Sequence, residues 1–94
     1  MKIPKKVKIC GYDFKVKDHH FEAGTHFGLL KYNSLTIYIE KDAKQQIREE
    51  AFIHEILHGI DYATGKELDE DKISALSRAL YYVLKDNNLL KEGD

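Results

Sequence analysis

Two histidines and a glutamate in "FIHEILHGI" set the chemical question in this chain. His54 and His58 are four residues apart, and Glu55 follows the first. On a helix, four residues turn about 400° and rise about 6 Å, so both imidazoles fall on one face, one turn apart. From there both can reach one metal ion at a Zn–N distance of about 2.0 Å. Glu55 stands about 100° round the helix. It is badly placed as a third ligand. It is well placed to take a proton from a water beside the metal and pass it to a leaving amine. Metal-dependent hydrolysis is the chemistry this spacing serves.

The opposing reading is a buried helix whose two histidines are satisfied by ordinary hydrogen bonds. Ile53, Ile56, Leu57 and Ile60 surround the motif. A helix apolar on nearly all sides belongs in a core. Polar groups buried there need partners, and a metal gives one to each imidazole.

A third ligand must come from elsewhere. The metzincin layout requires glycine at position 61 and histidine at position 64; the chain has Asp61 and Thr64. Asp61 lies on the histidine side, but about 10 Å along the axis from His54. It suits orientation of a histidine N–H, or a surface or capping role. Downstream, "ELDED" offers a run of acids. With Ile73 as the core direction, Asp69 lies about 40° away, Glu70 about 60° and Asp71 about 160°. Asp69 suits a helix cap and Asp71 points outward. Glu70 points inward with the reach to bind, and is the expected third ligand, with Asp71 and Asp69 as alternatives. His26 stands near the expected rim. Tyr62, Tyr81 and Tyr82 could each offer a phenol to a developing oxyanion, and their spacing selects none of them.

The elements that must hold these groups follow from periodicity. "KVKICGYDFKVK" alternates, with Val7 and Ile9, then Tyr12, Phe14 and Val16, each on one side of a strand, and a turn at Cys10-Gly11. "THFGLLKYNSLTIYIE" reads as a second hairpin about Asn33-Ser34, with 17–24 as the connection. From Lys41 the period becomes helical, with Asp42 as the expected N-cap and Gly65 as the stop. A second helix is expected after Asp69, its cap, with Leu68 and Ile73 as a hydrophobic staple. Its expected core stripe is Ile73, Leu76, Leu80 and Leu84, and Asn87-Asn88 ends it. Strands before helices predict an α+β fold: a small antiparallel sheet of about four strands in two hairpins, then two helices.

The chain has 94 residues, which suits one domain spanning 1–94 with a shallow site. It is 43% hydrophobic and 33% charged, with a net charge of −1. That balance argues against broad nucleic-acid binding. The lysines at 2, 5, 6 and 8 are expected to form a solvated arm. No stretch is apolar enough for a membrane span or a signal peptide. Cys10 is the single cysteine, which fits a reducing, cytoplasmic setting, and its apolar neighbours suggest a small core residue.

The chain resembles the small gluzincin-type metallopeptidases of phages and mobile elements related to the ImmA/IrrE family. The resemblance rests on "VKICGYDFKV", "NSLTIYIE", "FIHEILHGIDY" and "LSRALYYVLKDN", and covers most of the chain. It implies zinc held by His54, His58 and a downstream acid, with Glu55 as general base. It implies that Thr36 to Ile39 hold an extended peptide or protein substrate by β-augmentation. Members of the wider family cleave regulatory proteins. The gap from His58 to Glu70 is short against the family pattern, and at 94 residues no separate recognition domain is expected. A zinc-binding regulatory module without peptidase activity is therefore the alternative expectation.

Overall fold

In the computed structural model, which describes residues 1–90, four strands precede two helices in an α+β fold. Alternation produces the strands. β1 (Lys6–Ile9) and β2 (Tyr12–His19) form an antiparallel hairpin in which Val7 faces Phe14 and Ile9 faces Tyr12. The turn between them falls at Cys10-Gly11, as the sequence predicts, and both residues have positive φ. Cys10 is exposed there, which corrects its reading as a core residue: the turn carries it out of the apolar alternation. Lys6 and Lys8 lie in β1, and the Lys5 carbonyl accepts from Val16 N at 2.9 Å. The basic cluster is thus largely an ordered strand rather than a loose arm.

β3 (Gly28–Lys31) and β4 (Thr36–Glu40) form the second hairpin. The sheet order is β1-β2-β4-β3, and β2 runs parallel to β4, with Val16 beside Ile37 and Asp18 beside Ile39. The sheet is therefore mixed rather than antiparallel. Alternation tells which face a side chain takes; it carries no information on the direction of the neighbouring strand. The connection is also shorter than expected, because β2 continues to His19.

This order corrects the expected peptide-binding strand. β4 lies between β2 and β3, with both edges paired, and Thr36, Ile37 and Ile39 are buried. A strand whose amides and carbonyls are already used on both sides cannot take another. The open edge on the site's side of the sheet belongs to β3.

α1 (Gln45–Thr64) packs across the sheet. Ile9, Phe14, Ile37, Ile39, Ala51 and Phe52 make the core, and burying each large apolar side chain contributes about 1.5–3 kcal/mol. Gly59 lets the helix approach closely: a Cβ there would stand 3.0 Å from Ile9 Cδ1 and 3.3 Å from Leu30 Cδ1. The helix starts later than expected. Lys44 is its N-cap and has no side-chain acceptor, so no side chain caps it; Asp42 lies two residues earlier, its amide donating to Glu40 in the preceding turn. Gly65 ends it at φ 127°, as predicted.

α2 (Glu70–Asp86) begins at Asp69, whose carboxylate accepts from Lys72 N at 2.8 Å, and ends at Asn87. Both boundaries match expectation; the buried stripe does not. Ile73, Ser77 and Tyr81 are buried, whereas Leu76 and Leu80 are 48% and 40% exposed. The side-chain pairs Lys85–Gln46, Arg78–Glu50 and Glu70–His58 run in opposite chain directions, so α1 and α2 form an antiparallel hairpin. Among the described residues no strand has close backbone contact with α2; it lies against α1.

Glu40 ties the sheet to the loop that follows β2. Its carboxylate accepts from Phe21 N and from Asp42 N, each at 2.9 Å. These two amides, Asp42 foremost, hold its pKa below the ordinary value of 4.5. A lowered folded-state pKa stabilises the fold above the ordinary value, and that contribution is lost as pH falls through the lowered one. Glu40→Gln can satisfy only one amide with its single oxygen. It should melt earlier than the parent at pH 7, with the gap closing below about pH 4 in melts across pH 3–7.

Candidate metal centre

The antiparallel helix hairpin brings the expected groups together. His54 and His58 project from successive turns of α1, with ring centroids 4.8 Å apart. Their Nε2 atoms are 3.1 Å from each other. Glu70, in the first turn of α2, sets Oε1 at 2.9 Å from His54 Nε2 and Oε2 at 2.8 Å from His58 Nε2. Geometry explains why the acid arrives there. Only five residues separate Thr64 from Glu70, so the first turn of α2 must lie beside the last turns of α1. Asp61 holds that return: its carboxylate accepts from Leu68 N at 2.9 Å and its carbonyl from Gly65 N and Lys66 N. Asp61 thus positions the connection, and its carboxylate is occupied there rather than orienting a histidine.

The donor set fits a divalent metal. Four ligands about 2.0 Å from a tetrahedral zinc stand about 3.3 Å from one another. The 2.8, 2.9 and 3.1 Å separations here are close to that spacing. His54, His58 and Glu70 form a group in which the ligand atoms all lie within 4.8 Å, and no fourth histidine, cysteine or acid among the described residues joins it. Asp69 is engaged in capping, and Asp71 stays outside the group. Burial pulls the His54 pKa below its ordinary value despite the nearby Glu70 carboxylate. The neutral form, which ligation requires, is favoured.

Glu55 is buried beside this group, under β3. A Cβ on Gly28 would lie 3.1 Å from Glu55 Cγ and Oε2, so any larger residue there would press on the carboxylate. Burial, aided by the Glu70 charge, pushes the Glu55 pKa up to about 7, while the Leu30 backbone amide pulls the other way. The pairing of β3 accounts for that amide. Glu40 N donates to the Phe27 carbonyl at 2.8 Å, so by alternation Gly28 and Leu30 turn their polar groups to the open edge.

A cleft of about 770 Å³ opens over these residues, between β3 and α2. His26 lines it, as expected of a rim residue, along with Phe27, Ile47 and Arg78. A second hollow, lined by Tyr32, Tyr62 and Lys66, reaches His58 and Glu55 from the other side. The candidate phenols are committed elsewhere: Tyr81 donates to Glu49 at 2.8 Å, Tyr62 stacks on Tyr32 at 3.8 Å, and Tyr82 meets Gln46.

No protein-family model, curated protein or solved structure matches the chain. The reading of the site therefore rests on its own geometry. Gly28, Leu30 and Arg78 escaped the sequence reading. Their role depends on which strand is the sheet edge and on helix rotation, and alternation encodes neither. No helix among the described residues is long and apolar enough to cross a membrane.

Proposed function

We propose that this chain is a zinc-dependent metallopeptidase that hydrolyses a peptide bond in an extended segment of a peptide or regulatory protein. The observation that carries the reading is the convergence of His54 Nε2, His58 Nε2 and the Glu70 carboxylate beside a buried Glu55 at the floor of an open cleft. Two imidazoles and one carboxylate would hold the metal, leaving a position open for water and substrate. When bound, zinc supplies an acidified water and polarises the scissile carbonyl.

The chain's own residues supply the rest. Glu55 takes the proton at its carboxylate and returns it to the leaving amine; a pKa near working pH suits both steps. The outward-facing amide and carbonyl of Gly28, on the open edge of β3, receive the substrate backbone as an added strand. Phe27 is 56% exposed and Ile47 37% exposed on the cleft wall, where they offer apolar surface to substrate side chains.

Metal analysis after zinc-replete refolding should give about one zinc per chain, and His54→Ala or His58→Ala should abolish tight binding. Glu55→Gln should keep the zinc and lose cleavage of a peptide library by at least about 100-fold. Cleavage retained in Glu55→Gln would remove Glu55 from its role. Zinc bound without any cleavage by the parent would favour the regulatory module instead.

A further inference from the structure

We infer that Ser77 is the positioning residue that sets the tautomer and ring orientation of His54, so that its Nε2 lone pair faces the metal position. This deepens the metallopeptidase reading and rests on it in part.

Ser77 is 2% exposed and occupies the buried stripe of α2 between Ile73 and Tyr81. A hydroxyl in that place needs partners. Its Oγ lies 3.1 Å from the Ser74 carbonyl and 3.3 Å from His54 Nδ1. The carbonyl can only accept, so the Ser77 proton goes there. The Oγ lone pairs are then left to accept from Nδ1–H of His54. A proton on Nδ1 leaves Nε2 as a bare acceptor, the form a ligand must take. Glu70 Oε1, 2.9 Å from Nε2, competes for a proton on that side when no cation is present. Ser77 opposes that tautomer from the far side of the ring.

The helix hairpin builds this as one unit. Glu70, Ser74 and Ser77 recur at i, i+4 and i+7, on one face of α2. The same face thus delivers an acid to the metal position, a carbonyl to the serine, and the serine to the histidine. Nothing about packing requires serine here. Alanine is smaller and has the higher helix propensity; what it would remove is the acceptor for His54 Nδ1.

That contrast defines the test. A purely structural role predicts that Ser77→Ala leaves metal affinity unchanged, while orientation predicts a loss. Zinc competition against a chelating dye should show Ser77→Ala binding about 10- to 100-fold more weakly. Its circular dichroism and melting point without metal should match the parent or exceed it. Ser77→Thr keeps a hydroxyl and should recover most of the affinity. A second measurement is independent of zinc. In the metal-free Glu70→Ala background the competing acceptor is gone, and nitrogen-15 NMR should find the His54 proton on Nδ1. Adding Ser77→Ala should shift it toward Nε2. Affinity within twofold of the parent together with an unchanged tautomer would overturn the inference. Failure of the parent to bind zinc would end the metallopeptidase reading instead, and the tautomer measurement would still decide the role of Ser77.

Discussion

Glu55→Gln should stabilise the metal-free protein by about 3 kcal/mol above pH 7, and by almost nothing below pH 4. The carboxyl pKa stands at about 7 in the fold against an ordinary 4.5, with burial the main cause and Glu70 the second. A raised folded-state pKa means that the protonated form is the one the fold accepts. Its contribution is fully present below the ordinary value and disappears as pH rises through 7. Above that, the folded state carries a desolvated carboxylate that the unfolded chain would leave in water. Glutamine has nearly the same shape, still accepts from the Leu30 amide and carries no charge. Urea unfolding in the presence of a chelator, repeated from pH 4 to 8, should give parent and variant curves that coincide in acid and diverge through pH 5–7. The neutral-pH gap corresponds to a melting shift of more than about 10 °C for a domain of this size. A pH-independent gap would mean that Glu55 is not held against its charge. Excess zinc should narrow the gap, because a cation beside the carboxylate compensates its charge. The residue proposed to move the proton is thus one that the fold stabilises poorly at working pH, as expected where a site is built at the expense of stability.

The helical spacing of "HEILH", the caps at Asp69 and Gly65, and both hairpin turns were readable because each depends on neighbours within a few residues. Glu70 was readable as well, since its direction follows from the helix it opens. Other features needed tertiary information. Period two assigns Ile37 and Ile39 to the core face, as observed, yet cannot say that β4 sits in the middle of the sheet and β3 at its edge. The stripe Ile73-Leu76-Leu80-Leu84 maximises apolar burial if α2 packs on hydrocarbon. Its partner is instead the polar flank of α1, with Glu49, Glu50 and His54. The helix is therefore rotated by about half of its 100° step. That rotation brings Ser77 and Tyr81 inward and leaves Leu76 and Leu80 partly exposed. The sequence signal for it was a serine and a tyrosine at positions where a simple amphipathic helix would have aliphatic residues.

That rotation makes Tyr81 a buried link between the two helices that carry the candidate metal ligands. Tyr81 is fully buried, and its hydroxyl donates to Glu49 Oε1 at 2.8 Å across the two helices. Glu49 is itself buried, 8% exposed. Burial and this carboxylate push the Tyr81 pKa up, so the phenol stays a donor throughout the working range. Tyr81→Phe removes one hydrogen bond and keeps the ring. It leaves a buried carboxylate oxygen short of a partner, at a cost of about 1–3 kcal/mol. Tyr81→Ala also removes the largest fully buried side chain, at about 3–5 kcal/mol. A small domain has only about 5–15 kcal/mol to lose. The loss falls on the joint between α1 and α2, because among the described residues α2 has close backbone contact with α1 and with no strand. Glu70 rides on α2, so its separation from the histidines should follow. The expected results are a melting point lowered by at least about 4 °C with zinc affinity kept in Tyr81→Phe, and weakened zinc binding in Tyr81→Ala at temperatures where α1 and the sheet remain folded. Hydrogen exchange can separate the two helices, and α2 amides should lose protection before those of α1. Equal loss of protection in both helices would mean that the hairpin and the sheet unfold as one unit. The geometry of the metal centre would then be set by the whole core rather than by this single joint.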